Sequence, residues 1–156
     1  EARREKVNGV PSIYLYPGFV YVSAQPCVVS TVLGSCVSVC LWDEGRRVGG
    51  MNHFLLPGAT DSLTPKYAAG AMAALFDQYL GQGGTRSGVK AKIFGGARLV
   101  AGHSDVKVPL GSENAARAEH WLRSMNIQVV ERHVGGTQGR KLTFDMKNGA
   151  TRITLV

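Results

Sequence analysis

Two periods of apolar residues divide the chain. Through the first third, GFVYVS (18–23), VVSTVL (28–33), VSVCLW (37–42) and RRVGGMNHFLL (46–56) are rich in β-branched and aromatic residues with partial alternation, which predicts strands. The period then lengthens. In LTPKYAAGAMAALFDQYLGQGG, Ala68, Ala71, Met72, Leu75, Phe76 and Tyr79 recur at three- and four-residue steps as one apolar stripe of a helix. Thr64 is placed to cap that helix, Pro65 to occupy its first turn, where no amide donor is needed, and Gly81 to Gly84 to end it.

VKAKIF (89–94) returns to strand composition and runs into a glycine-rich polar stretch that reads as a loop. Ser112 or Asn114 can start a second helix with Ala115, Ala118, Trp121, Leu122 and Met125 on its buried side. IQVVERHV is a further strand, and RKLTFDMK, Asn148-Gly149 and ATRITLV read as a terminal hairpin with a tight primed turn. That hairpin cannot be a parallel crossover, so the expected fold is α/β, a layered sandwich of mixed or antiparallel sheet with two principal helices. Residues 1–17, charged and then interrupted by Gly9, Pro11 and Pro17, are expected to be an arm or capping segment, and 18–156 a single domain.

The wider composition narrows the function classes. The apolar runs fall short of the roughly 20 residues that span a bilayer, and no signal-peptide pattern opens the chain, so a cytoplasmic protein without membrane insertion is expected. Eighteen Lys and Arg against eleven Asp and Glu give a net charge of +7, which favours acidic partners. The basic residues are scattered without interleaved aromatics, which argues against nucleic acid. GGARLVAG lacks the dinucleotide spacing and GGTQGRK lacks the Lys-Ser/Thr ending of a phosphate loop, so no nucleotide cofactor is expected.

Cys27, Cys36 and Cys40 do not resemble a disulfide framework, and with His53, His103, His120 and His133 dispersed they do not announce a metal site. Cys27 and Cys40 read as small core residues. Cys36 differs: Gly34 and Ser35 let the chain turn tightly before it and point backbone amides into the bend, where they can stabilise a thiolate or an oxyanion. Core filler and nucleophile both remain open on that evidence. His53, in GGMNHF, is either a core histidine or the base for such a thiol. Ser30, Thr31, Asn52, Asp43 and Asp61 are candidates to orient its ring, and spacing does not select among them.

The ordered set TVLGSCVSVCLWD, GGMNHFLLP, KIFGGA (92–97), LGSENA (110–115) and VGGTQGRKLTFDMKNG (134–149) resembles the CheD family, the chemoreceptor glutamine deamidases of bacterial chemotaxis, from about residue 18 onward. The resemblance implies a fold similar to glutamine-deamidating toxin domains and a cysteine-dependent amidohydrolase without cofactor or metal. Cys36 would be its nucleophile and His53 its base. The family's third residue, a threonine six positions before the cysteine, is replaced here by Ser30, with Thr31 as the alternative. Gly34, Ser35, Asn52, Gly95, Gly96, Asn114, Gly135, Gly136 and Arg140 fall on family motifs as groove or backbone-shaping positions; Arg140 is expected to face solvent or an acidic partner. The implied substrate is glutamine in chemoreceptor cytoplasmic helices, with glutamyl methyl esters accessible through the same acyl-enzyme and a CheC-type phosphatase as a second partner. The competing reading is a noncatalytic chemotaxis binding protein.

Overall fold

The computed structural model describes residues 9–58, 63–99 and 108–156 and the backbone of 2–7. The chain forms β1 (Ala2–Val7), β2 (Val10–Leu15), β3 (Val20–Ser23), β4 (Val28–Leu33), β5 (Val37–Asp43), β6 (Val48–Asn52), α1 (Ala68–Gly81), β7 (Val89–Gly95), α2 (Leu110–Ser124), β8 (Gln128–Val134), β9 (Arg140–Asp145) and β10 (Thr151–Leu155). Two five-stranded sheets result, ordered β1-β2-β4-β9-β10 and β3-β6-β5-β7-β8. Each is mixed: β2 runs parallel to β4 and β7 parallel to β8, while the other pairs are antiparallel. The layered α/β expectation holds.

The sheets pack face to face, and the helices cover the far side of the second sheet, α1 against β3 and β6 and α2 against β5, β7 and β8. Ile13, Leu15, Val29, Leu33, Leu142 and Phe144 of the first sheet meet Cys40, Met51 and Phe94 of the second in an inter-sheet core. Val37, Val39, Leu41 and Ile93 point the other way, onto Ala71, Met72, Leu75, Ala118 and Leu122 of the helices. β5 and β6 are therefore covered on both faces, which is why they read as nearly continuous apolar runs. Gly50 follows from that crowding: a Cβ there would meet Leu75 Cδ1 at 2.7 Å and Val22 Cγ2 at 2.8 Å, so a larger residue would push α1 off the sheet.

Four local expectations need correction. The segment expected as an arm or capping segment contributes paired strands, and β2 buries Ile13 and Leu15. α1 starts at Ala68, because Lys66 O receives the amides of Leu55 and Leu56 and Ala68 N donates to Leu56 O, which commits Pro65 to a turn. α2 starts at Leu110 behind Pro109, placing both Ser112 and Asn114 inside the helix. The β9–β10 connection spans residues 146–150, and only Gly149 has positive φ, whereas a two-residue primed turn of the Asn-Gly kind would need it at both positions.

At the end of β5 remote from Cys36, the buried Asp43 carboxylate fastens the strand to the α1–β7 connection. Its Oδ2 accepts hydrogen bonds from Tyr79 OH (3.1 Å), Thr85 N (3.0 Å) and Thr85 Oγ1 (2.8 Å), and its Oδ1 from Arg46 N (3.0 Å). Burial opposes the charge, but these donors, led by Thr85, outweigh it and hold the carboxyl below its usual range. A depressed folded value contributes stability above the unfolded pKa of about 3.9 and loses it as pH falls through the folded value. Asp43→Asn is thus expected to lower the unfolding free energy at pH 7 by about 1–3 kcal/mol. In urea titrations its gap from wild type should narrow as the pH is lowered below about 4, where the wild-type carboxylate protonates.

Candidate active site

Cys36, His53 and Thr31 gather at one end of the inter-sheet layer. Strand alternation on β4 sends Val29, Thr31 and Leu33 inward and leaves Val28, Ser30 and Val32 on the opposite face. Thr31, fully buried, accordingly reaches His53: Oγ1 lies 2.7 Å from Nδ1 and 2.7 Å from the carbonyl oxygen of Leu15 on β2. Ser30, expected as the third residue, is on the wrong face to do so. The alternative, Thr31, supplies the contact.

That pair of bonds sets the histidine tautomer. A threonine hydroxyl has one proton, and the Leu15 carbonyl can only accept it, so Oγ1 must accept from Nδ1–H. Nε2 is left with the lone pair, buried and without a hydrogen-bond partner. Burial lowers the imidazole pKa to about 4, so the ring is neutral at pH 7 with its basic nitrogen free.

Cys36 adjoins the same face of the second sheet. Val37 and Phe54 exchange both backbone hydrogen bonds, at 3.1 and 3.0 Å, which carries the β5–β6 register back to the residue that follows Cys36. Cys36 therefore stands diagonally across from His53, a relation that separates Cα atoms by about 7–8 Å. Its half-buried side chain packs on the inter-sheet core, and burial raises the thiol pKa, with only its own amide working against that. No hydrogen bond joins Sγ to Nε2.

The turn before Cys36 is held by its carbonyls. Gly34 O accepts from Ala97 N (2.9 Å), Ser35 O from Asn114 Nδ2 (3.0 Å) and Cys36 O from Gly96 N (2.8 Å). Across a trans peptide the amide points opposite to the carbonyl, so the amides of Ser35 and Cys36 face away from this anchorage. Among the described residues neither is bonded to a backbone carbonyl in a turn or loop. Two backbone donors beside Cys36 are thereby turned away from α2 and the Gly96 turn.

The remaining expected residues shape this turn or lie elsewhere. Gly95, at φ 107°, is needed because a Cβ would strike the Cys36 carbonyl oxygen, and Gly96 packs against Gly111 of α2. Asn114 caps no helix end: fully buried on α2, it also donates from Nδ2 to Leu55 O (3.0 Å), joining the Cys36 turn to the segment after His53. Asn52 faces α1, accepting from Val39 N (2.8 Å) and donating to Ala71 O (3.2 Å), so it does not orient His53. Asp43 is occupied at the far end of β5, and Asp61 and His103 lie outside the described residues. Arg140 is buried, not solvent-facing; it donates to His133 Nδ1 (2.8 Å), Gly95 O (3.2 Å) and Gly135 O (2.5 Å), bracing the two glycine turns together. Gly136 O holds Arg98 N in the same cluster. Cys27 and Cys40 are buried core residues with raised pKa values. Among the described residues no three His, Cys, Asp or Glu side chains converge to hold a metal ion, and no helix is long and apolar enough to cross a membrane.

Two contributors escaped the sequence reading. Leu15 acts through a backbone carbonyl, which leaves no side-chain signal. Ser38, a fully buried polar residue in the apolar run VSVCL, did leave one, since a hydroxyl inside a doubly covered strand needs a partner.

Fold and site together describe an α/β sandwich carrying a cysteine, a neutral histidine and a threonine at one end of its inter-sheet core. Comparison with known proteins gives the family. A profile described as CheD chemotactic sensory transduction matches residues 55–155. A probable chemoreceptor glutamine deamidase CheD of Trichlorobacter lovleyi is 42% identical over 138 residues, covering 87% of this chain and 85% of its own. Proteins of the same description from Anaeromyxobacter dehalogenans (41% identity, 92% of this chain and 84% of theirs) and Caulobacter vibrioides (43%, 92% and 78%) are similar. The chain belongs to the CheD family. The profile match begins after Cys36 and His53, whereas these relatives align with most of the chain.

The tautomer argument has a direct readout. Nitrogen-detected NMR is expected to show His53 neutral and protonated on Nδ1 from pH 6 to 8, with a midpoint of about 4. In Thr31→Val the Nδ1–H loses its acceptor, and the ring should become a mixture of tautomers. An unchanged ring in that variant would place its control elsewhere.

Proposed function

We propose that this CheD-family chain is a chemoreceptor glutamine deamidase that works through a thioester on Cys36, inside the cell, on receptor cytoplasmic helices. One observation carries the reading: Thr31 fixes His53 with its basic nitrogen bare, on the same sheet face as a half-buried cysteine flanked by outward amides. The relatives' names supply the substrate class.

The side-chain carboxamide enters at Cys36. Sulfur attacks its carbon as the thiol proton passes to Nε2, and the amides of Ser35 and Cys36 are placed to receive the developing oxyanion. His53 returns the proton to departing ammonia, then draws one from water as it attacks the thioester, releasing glutamate and the thiol. A glutamyl methyl ester passes through the same acyl-enzyme with methanol leaving. Cys36 is raised and His53 lowered, so the resting pair is thiol and imidazole, not a preformed ion pair. A CheC-type phosphatase as a second partner rests on the family resemblance alone.

Incubation of a receptor cytoplasmic fragment from the same cell with the protein is expected to add about one dalton per converted glutamine, read by intact mass, through the acyl-transfer route. Cys36→Ala should abolish the change and His53→Ala should slow it about a hundredfold or more, the range for loss of a general base. Thr31→Ala should be clearly impaired and Ser30→Ala within about twofold of wild type, since a group remote from the reacting centre contributes no differential transition-state binding. Cys36-independent conversion would defeat the thioester; no conversion at all would favour the noncatalytic binding protein.

The pH profile follows from the signs of the two shifts. The reactive thiol–imidazole form exists above the His53 pKa of about 4 and below the raised Cys36 pKa. The expected kcat/KM is flat across pH 6 to 8, with an acid limb near 4 and none at the ordinary histidine value of about 6.5. A limb near 6.5 would mean that His53 is solvated in the working enzyme.

A further inference from the structure

Ser38 Oγ and His53 Nε2 are both buried and both without a hydrogen-bond partner. They are also neighbours. The Val37–Phe54 bridge and the Cys40–Met51 pairing place Ser38 directly opposite His53 across β5 and the continuation of β6. Between those two pairings Val39 N bonds to Asn52 Oδ1 rather than to a backbone carbonyl, so the ladder opens at this level while Ser38 and His53 keep facing positions. Alternation turns Ser38 and His53 to the same face as Cys36, toward the first sheet, while Val37 and Phe54 turn to the helices. On its other side Ser38 pairs with Phe94, which offers no polar atom.

We propose that Ser38 is a positioning residue that, with His53 Nε2, holds the water that hydrolyses the Cys36 acyl-enzyme. The inference rests on the cysteine–histidine reading above and adds a member that reading does not use. Two convergent polar groups are the minimum that keeps a buried water in place. Held by Ser38, that water donates one hydrogen to Nε2, leaving an oxygen lone pair for the carbonyl carbon on Cys36. In deacylation its O–H bond breaks, the proton passing to Nε2 while oxygen bonds to the thioester carbon. The C–S bond then breaks; sulfur leaves with the electron pair and recovers the proton from Nε2. The ammonia-releasing half-reaction needs no water, so Ser38 acts on the second half alone.

The test is Ser38→Ala, assayed with the receptor fragment by rapid-quench intact mass and by ammonia release. A stoichiometric burst of ammonia at the wild-type rate is expected, followed by turnover slowed about ten- to a hundredfold, the effect of a misplaced reactant. KM should fall with kcat, and an enzyme–receptor thioester should accumulate. Hydroxylamine, which attacks without a held water, should restore turnover of the variant and leave glutamyl hydroxamate. Equal loss of burst and turnover would overturn the proposal, as would wild-type turnover without the adduct. A lowered melting temperature would also overturn it, because it would make the hydroxyl a structural contact. If wild type itself releases no Cys36-dependent ammonia, the thioester reading fails; if only Ser38→Ala is indifferent, the water assignment fails and the thioester stands.

Discussion

A single hydroxyl proton organises the site. Thr31 Oγ1 spans the gap between the sheets, giving its proton to a β2 carbonyl and receiving one from His53, and those directions leave the outer imidazole nitrogen basic. The arrangement needs low dielectric, because burial keeps the ring neutral, and it needs three segments in register: β2 for the acceptor, β4 for the hydroxyl and the end of β6 for the ring. The inter-sheet core supplies both conditions. Its apolar residues exclude water from the relay, and the packing of Leu15, Val29 and Leu33 on Met51 and Phe94 fixes the distance the hydroxyl must bridge.

The cysteine side is governed by backbone. The carbonyls of the Gly34–Cys36 turn are drawn inward by Asn114 of α2 and by the amides of Gly96 and Ala97, which turns the intervening amides away from that anchorage. Asn114 couples the halves of the site, since its amide nitrogen bonds both to this turn and to the segment leaving His53. Arg140 does the same one layer out, holding the β7 and β8 glycine turns by their carbonyls. Polar side chains here work mostly on main chain, in keeping with how buried side-chain hydrogen bonds are usually used.

Much of this was legible in the chain. The apolar stripe of α1, the buried runs of β5 and β7 and the terminal hairpin followed from period alone, and Cys36 and His53 from motif. The choice between Ser30 and Thr31 was not, because VVSTVL is apolar on both parities and alternation cannot say which hydroxyl faces inward. The β4–β9 pairing depends on partners far apart in sequence, which local pattern does not encode. Besides Ser38, two signals were present and went unread: Asn114 shares an i, i+4 line with the buried Ala118 and Leu122, and Arg140 is in phase with the buried Leu142 and Phe144. A charged side chain ordinarily goes outward; here three carbonyl and imidazole acceptors offset its desolvation.

The position of β4 has a consequence for biosynthesis. It lies between β2, already made when β4 emerges, and β9, which is made far later in the chain. Until β9 docks, β4 is an open edge and the wall bearing Thr31 is unfinished, although Cys36 and His53 were translated long before. Nascent chains therefore carry Cys36 and His53 before the wall that bears Thr31 is closed, and that closure waits on a non-local pairing.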